Sequence, residues 1–269
     1  MTPPRRFELL LFATDPAVVR EAVAAGVDGI IVDWERRGKV ERQAAADTQI
    51  NHDTPDDLRR VRAATGALVI CRINGVGIST RDEIDTAVDA GADEILLPMV
   101  RTPDEVAGVI DIVAGRAGVG MLLETVDAVA NPAAFAGLPL TRVYVGLNDL
   151  AIERGSANLF AAVTDGTVER LRARFTMPFG FGGLTLPDRG HPVPCRLLMG
   201  EMARLDSGFS FLRRSFYRDT VDMPMPEAVC RIRQGLVRAT ARTPDVCEEE
   251  RLDLCRAVAD WELARVHLR

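Results

Sequence analysis

One local pattern recurs along the first half of the chain and restricts its fold more than any other feature. A short, continuously apolar run is followed by a helix-forming segment, a glycine, and another apolar run. Residues 7–13 and 28–33 are the first two runs. Between them Thr14 or Asp15 can cap a helix whose first turn accepts Pro16 and which stops at Gly26. Runs at 67–73, 94–99, 119–124 and 142–147 continue the series, with helices at 82–90 and 103–114 closing on Gly91 and Gly115. Strands apolar at every position are covered on both faces, as parallel strands between helices are.

The second half is less regular. Residues 179–184 read as a seventh strand and 208–212 as an eighth, with helices at 194–205 and 226–239. Eight strand–helix units in 269 residues match an α/β fold of the (β/α)8 type, the TIM barrel, which typically needs about 250 residues. A doubly wound open sheet would call for a glycine-rich phosphate turn after its first strand, and this chain has none there. Residues 1–269 therefore read as a single barrel domain with an additional C-terminal helix at 245–267. That helix carries Leu252, Cys255, Ala259, Trp261 and Leu263 at roughly helical spacing. It is expected to cross the bottom of its own barrel or to reach a neighbouring subunit, and the second placement makes a homo-oligomer.

Charge and composition exclude several partners. The net charge is -6 and the arginines are interspersed with acids, which speaks against a nucleic-acid or anionic-membrane surface. No apolar run approaches the roughly 18 residues of a membrane span, and the first residues lack the apolar core of a signal peptide. Five cysteines, odd in number and without a C-x-x-C pair, are expected as reduced, mostly buried thiols in a cytoplasmic protein.

In a barrel the C-terminal ends of the strands converge on one mouth. Those ends are Asp33 and Glu35, then Arg72 and Asn74, Pro98 and Met99, Glu124, Asp149, the pair Gly182 and Gly183, and the pair Arg213 and Arg214. Glu124 and Asp149 each end an apolar run, and a buried carboxylate is costly unless something compensates its charge. A shared divalent cation would serve both, and oxygen ligands suit Mg²⁺ or Mn²⁺ better than zinc. Arg72, Glu35 and His52 are the candidate catalytic residues. Candidate substrate contacts are Arg72, Gly146, Leu147, Asn148, Pro98 and Arg213.

Each has a plainer reading. Asp149 can simply cap the next helix, and Arg72 can be a structural partner of Glu35. The twin arginines 213 and 214 are structural, or they bind an anion with the backbone of Gly182 and Gly183, as loops after strands seven and eight often do in barrels. His52 lies in a long polar stretch between Glu35 and Thr54, which reads as a lid over the mouth or as a solvated excursion. His191 falls in a second loop able to close over the mouth, and His267 reads as a surface residue near the terminus.

Five segments carry a family resemblance in one order: Asp33-Trp34-Glu35, Arg72-Ile73-Asn74, the run from Gly91 to Val100, Leu123-Glu124-Thr125, and the run from Val145 to Leu150. Together they resemble the HpcH/HpaI aldolase and citrate lyase beta-subunit family, within the pyruvate/phosphoenolpyruvate superfamily of barrels. The resemblance covers residues 7–151 and fades afterwards. It implies that Glu124 and Asp149 bind Mg²⁺ or a similar ion. It also implies that Arg72 contacts the carboxylate and enolate oxygen of a small anionic 2-oxo acid or an acyl thioester, and that subunits form trimers or hexamers with exchanged C-terminal helices.

The activity implied is a metal-dependent carbon–carbon lyase or aldolase. Alternatives are an acyl-CoA lyase of the citrate or malyl-CoA type, a relative using phosphoenolpyruvate or another phosphorylated substrate, and a barrel that binds a small acid without turnover. The pyruvate aldolases carry a histidine directly after the strand-two glutamate, and here that place is Arg36. Arginine stays protonated and makes a poor base. His52, a metal-bound water or a substrate group would have to substitute.

Overall fold

The computed structural model describes residues 6–37 and 53–266. Eight strands form a closed parallel barrel in sequence order, with the last pairing to the first. They are β1 (Glu8–Phe12), β2 (Gly29–Asp33), β3 (Leu68–Arg72), β4 (Glu94–Leu97), β5 (Gly118–Leu123), β6 (Arg142–Val145), β7 (Phe179–Leu184) and β8 (Phe209–Leu212). Local chemistry sets the helices between them. Asp15 accepts the backbone N–H groups of Ala17 and Val18 to start Pro16–Ala25, and Gly26 in a left-handed conformation (φ 105) ends it. Thr102 and Glu105 form a reciprocal capping box on Pro103–Val113.

Both faces of the strands are buried, which explains their uninterrupted apolar runs. Leu10, Ile31, Ile70, Leu96, Leu122, Tyr144, Phe209 and Phe211 point inward and pack into one cluster that fills the barrel. Their neighbours, such as Leu9, Leu11, Ile30 and Val32, face the surrounding helices. An ion-pair network closes the N-terminal end of the barrel. Arg142 on β6 donates to Glu94 (2.7 Å) and to Glu8 (2.9 Å) and lies 4.9 Å from the Phe209 ring centroid. Burial pushes the Glu94 carboxyl up from its ordinary range, and the Arg142 guanidinium opposes that shift.

The C-terminal helix, Pro244–Val266, packs against Cys195–Arg204 and Ala161–Thr164 of the same chain. The face it presents differs from the expected stripe. Leu254 and Val258, four residues apart, are buried, whereas Leu252 and Leu263 are exposed. The stripe through 254, 258 and 261 follows the helical period, and the expected set drifts across it. Asn158 Nδ2 donates to Glu262 Oε1 at 2.7 Å and ties the far end down.

The thiols also depart from expectation. Cys71 and Cys195 are buried, but Cys230 is exposed and Cys247 and Cys255 are half-buried, all five being free. No helix among the described residues is long and apolar enough to cross a membrane.

Candidate active site

Strand register builds the first half of the site. The β2–β3 pairing sets Asp33 directly opposite Arg72. Arg72 Nε and Nη2 donate to the two oxygens of Asp33 at 2.8 and 2.6 Å, and Nη1 lies 3.3 Å from Glu35 Oε2. The guanidinium also sits over the Phe12 ring, 5.2 Å from its centroid. Asp33 and Glu35 are themselves buried. Burial disfavours the Arg72 charge, but the two carboxylates outweigh it and hold its pKa above the ordinary value. The structural reading of Arg72 is met, with Asp33 as its bidentate partner and Glu35 as a second one, and the two carboxylates fix the direction of the guanidinium fork.

Glu124 follows the last residue of β5. Gly146 N–H donates to Leu123 O at 3.1 Å, which brings the end of β6 against the Glu124 side chain. The approach is so close that a Cβ at position 146 would stand 2.1 Å from Glu124 Oε2. On the other side Met99 N–H donates to Glu124 Oε1 at 2.9 Å. Met99 adopts the left-handed region (φ 53), a conformation costing about 1–2 kcal/mol for a residue with a side chain. Burial, then the charges of Asp149 and Glu35, push the Glu124 carboxyl well above its ordinary range against the opposing pull of the Met99 N–H and Arg72. Glu124 is thus a buried acid whose neighbours supply too little positive charge.

Asp149 lies in the first turn of helix Leu147–Glu153, whose N-cap is Gly146 rather than an aspartate side chain. Arg72, Glu124, Gly146, Leu147, Asn148 and Asp149 line one cavity of about 1150 Å³ at the C-terminal mouth, and Arg213 and His191 line its far side. Pro98, an expected substrate contact, and Glu35, an expected catalytic residue, are both buried and do not line this cavity; Glu35 Oε2 lies 3.3 Å from Arg72 Nη1. His52 and His267 lie outside the described residues.

Three lining residues had no strand-end signal in the sequence. Asp53 follows the long polar stretch, accepts the Asp33 N–H at 2.8 Å, and has its carboxyl raised by burial. Tyr144 sits beneath the mouth, stacked on Phe211 (centroids 3.9 Å apart) and donating to Gly182 O at 2.7 Å. Arg189 comes from the loop after β7.

Arg36, in the place of the family's histidine, faces the same neighbourhood. Its backbone N–H donates to Asn74 Oδ1 at 2.8 Å, and its guanidinium donates to Asp53 O at 2.5 Å. Asn74 in turn is held by Glu83 Oε2, which accepts its backbone and side-chain N–H at 3.0 and 3.1 Å.

The donor set fits a divalent cation of the magnesium type. Among the described residues no three His, Cys, Asp or Glu side chains gather around one point, so no all-protein cage exists. Mg²⁺ is commonly held by one or two carboxylates, with water and substrate completing its shell. Glu124 and Asp149, two carboxylates lining the same cavity, offer that arrangement.

A closed (β/α)8 barrel with two acids and a carboxylate-held arginine at its C-terminal mouth has the layout of a barrel enzyme, whose active sites lie at that face. The sequence profile described as HpcH/HpaI aldolase/citrate lyase matches residues 6–161, and the chain belongs to that family of aldolases and lyases. Solved structures agree on the fold. The citrate synthase SbnG is 17% identical with a TM-score of 0.60, covering 81% of this chain and 91% of its own. An HpcH/HpaI aldolase from Desulfitobacterium hafniense gives 14% identity and a TM-score of 0.61 over 89% of this chain and 95% of its own. A protein of the same family from Burkholderia cenocepacia gives 13% and 0.60 over 88% and 95%. At such identities these structures speak for the fold alone. No curated protein matches the sequence.

Proposed function

We propose that the mouth cavity is the active site of a divalent-metal-dependent carbon–carbon lyase that cleaves or forms a bond next to the carbonyl of a 2-oxo acid. The observation that carries this reading is the buried Glu124 carboxyl, beside Asp149 and facing Arg72 in one cavity, its affinity for a proton raised by burial and by its acidic neighbours. Glu124 and Asp149 would hold Mg²⁺ or Mn²⁺, which supplies Lewis-acid polarisation of the substrate carbonyl.

The chain's own residues account for the remaining steps. Arg72, fixed by Asp33 and Glu35, places a permanent positive charge where negative charge develops on the enolate oxygen, and needs no reorganisation to do so. The first turn of Leu147–Glu153 presents backbone N–H groups of Leu147 and Asn148 to a carboxylate at the helix start. Tyr144 and Phe211 form an apolar floor that keeps water from the reacting carbon. Arg36 cannot act as the base. Asp53, with Oδ2 held by the Asp33 N–H and its carboxyl raised by burial, takes the proton at Oδ1, and His52 is the alternative from the adjacent position.

Exchange of pyruvate methyl protons into deuterated water, followed by NMR, tests the reading. Exchange should require Mg²⁺ or Mn²⁺ and should be lost in Glu124→Gln and Asp149→Asn. Asp53→Asn should slow exchange by about 10²–10⁴-fold while His52→Gln does not, or the reverse if His52 is the base. No exchange, together with no thermal stabilisation by Mg²⁺ plus oxalate, would sink the proposal.

A further inference from the structure

One guanidinium joins the segments that follow β4, β5 and β6. Arg101 lies just past Met99, whose N–H donates to Glu124 Oε1. Arg101 Nη1 donates to Asp127 Oδ2 at 2.9 Å and to Glu153 Oε2 at 3.3 Å, and Nη2 donates to Glu153 Oε1 at 2.5 Å. Asp127 stands in the first turn of Val126–Ala130, the short helix that begins after Glu124 and Thr125. Glu153 is the last residue of Leu147–Glu153, the helix whose first turn holds Asp149. Residues four apart on a helix share a face, so Glu153 sits one turn along the stripe that carries Asp149.

Neighbouring contacts tighten the same junction. The Thr125 hydroxyl donates to Val100 O, and Arg101 N–H donates to Glu105 Oε2 at 2.7 Å, within the capping box of Pro103–Val113. Met99, Val100 and Arg101 therefore hold, in turn, Glu124, Thr125 and the pair Asp127 and Glu153. Surface ion pairs contribute little when both partners are mobile and wet. This one differs, because Glu153 is only 19% exposed and is gripped at both oxygens, a planar geometry that fixes direction as well as distance. Leu147 and Leu150 anchor the same helix in the core, and Glu153 anchors it toward the segments after β4 and β5. Arg101 does not line the mouth cavity, so whatever it does for a ligand passes through the residues it holds.

We propose that Arg101 is a positioning residue for the metal site: by bridging the elements that carry Glu124 and Asp149 it sets the spacing of the two carboxylates, and so raises their joint affinity for a divalent cation. This rests on the reading of Glu124 and Asp149 as metal ligands. Mg²⁺ tolerates little departure from octahedral geometry, and ligands held in place before the ion arrives lose less freedom when it binds. A bridge on the rim thereby acts on a site that it does not touch.

The test is Mg²⁺ binding by calorimetry at a fixed concentration of oxalate, in the wild type and in Arg101→Gln. The variant should bind Mg²⁺ about tenfold more weakly, the lower end of what losing an outer contact on a metal site costs. The sign is diagnostic. Removing a positive charge from the neighbourhood of a cation would by itself tighten binding, so weaker binding reports lost position. Urea melts of the metal-free proteins give the control. Lower stability with Mg²⁺ affinity unchanged or tighter marks a bridge of structural value only and overturns the proposal. Should Arg101→Gln fail to fold, Arg101→Lys takes its place, since lysine keeps the charge but cannot grip both oxygens of Glu153. It should still bind Mg²⁺ several-fold more weakly, and wild-type affinity there overturns the idea. If the wild type binds no Mg²⁺ with or without oxalate, the metal reading has failed and takes this proposal with it, whereas binding that Arg101→Gln leaves intact sinks this proposal alone.

Discussion

Replacing Gly146 with alanine tests the candidate site at its narrowest point. A Cβ at position 146 would lie 2.1 Å from Glu124 Oε2, 2.8 Å from its Cβ and 3.1 Å from its Cδ. Ordinary contact begins at 3.4 Å, so Oε2 must retreat by about 1.3 Å, the difference between the two distances. The backbone at Gly146 (φ -78, ψ 88) is one that alanine can adopt, so the perturbation falls on Glu124 rather than on the chain. Glu124 has little room to yield, being 2% exposed and tied through Oε1 to Met99 N–H.

Overpacking of this kind costs about 1–3 kcal/mol of stability, and a displacement of about 1 Å in a positioned group costs on the order of 100-fold in rate. Gly146→Ala should therefore unfold at lower urea, bind Mg²⁺ more weakly by calorimetry in the presence of oxalate, and exchange pyruvate protons about 100-fold more slowly. Gly108→Ala is the matched control. Gly108 is exposed in the middle of Pro103–Val113 with no atom within 4 Å of a Cβ, so alanine there should add about 0.5–1 kcal/mol of stability and leave Mg²⁺ binding alone. Wild-type Mg²⁺ affinity and exchange in Gly146→Ala would refute the assignment of Glu124.

Three further outcomes follow from the same geometry. Arg142→Leu strands Glu94, 3% exposed, at the base of the barrel and should cost about 3–5 kcal/mol; urea melts should show much of that recovered in the Arg142→Leu/Glu94→Leu double variant, and a single-variant cost below about 1 kcal/mol contradicts the network's structural role. Glu124 supplies a pH dependence: its carboxyl is raised from 4.5 to about 8, so it favours the folded state at low pH and loses that contribution as pH climbs through the folded value. Metal-free protein should lose Tm between roughly pH 5 and 8, while the Tm gain from Mg²⁺, which needs the carboxylate, should grow over the same window; a gain flat with pH argues against Glu124 as ligand. Cys230 is exposed, whereas burial raises the thiol pKa of Cys71 and Cys195, so a thiol reagent should modify Cys230 in the native protein and reach the other two only after unfolding.

The eight strands were legible in the sequence because both of their faces are buried: an apolar run such as Ile95-Leu96-Leu97 has no other stable place than between a barrel core and a helix layer. Glu124 and Asp149 were legible for a related reason, since a carboxylate at the end of such a run is conspicuous whatever the details of packing. Arg72 was visible as a charged residue closing β3, but its chief partner was not. The sequence pointed to Glu35, and the β2–β3 register makes Asp33 the bidentate partner instead, because pairing positions are a property of two strands and neither states them alone.

The same limit explains what the sequence left out altogether. Asp53 enters the cavity from the end of a polar stretch with no periodic signal, and its role follows from the Asp33 N–H it accepts. The docking face of the C-terminal helix was misread because several apolar residues lie off the stripe, and only contact with Cys195–Arg204 selects Leu254 and Val258. Arg213 Nε, buried without a hydrogen-bond partner among the described residues, reaches that state only once the loop around Gly190 has folded over it. Periodicity and burial are written along the chain, so they determined the barrel and marked its acidic ends. Register, close approach and unpaired charge arise between segments distant in sequence, and the tertiary structure alone decided them.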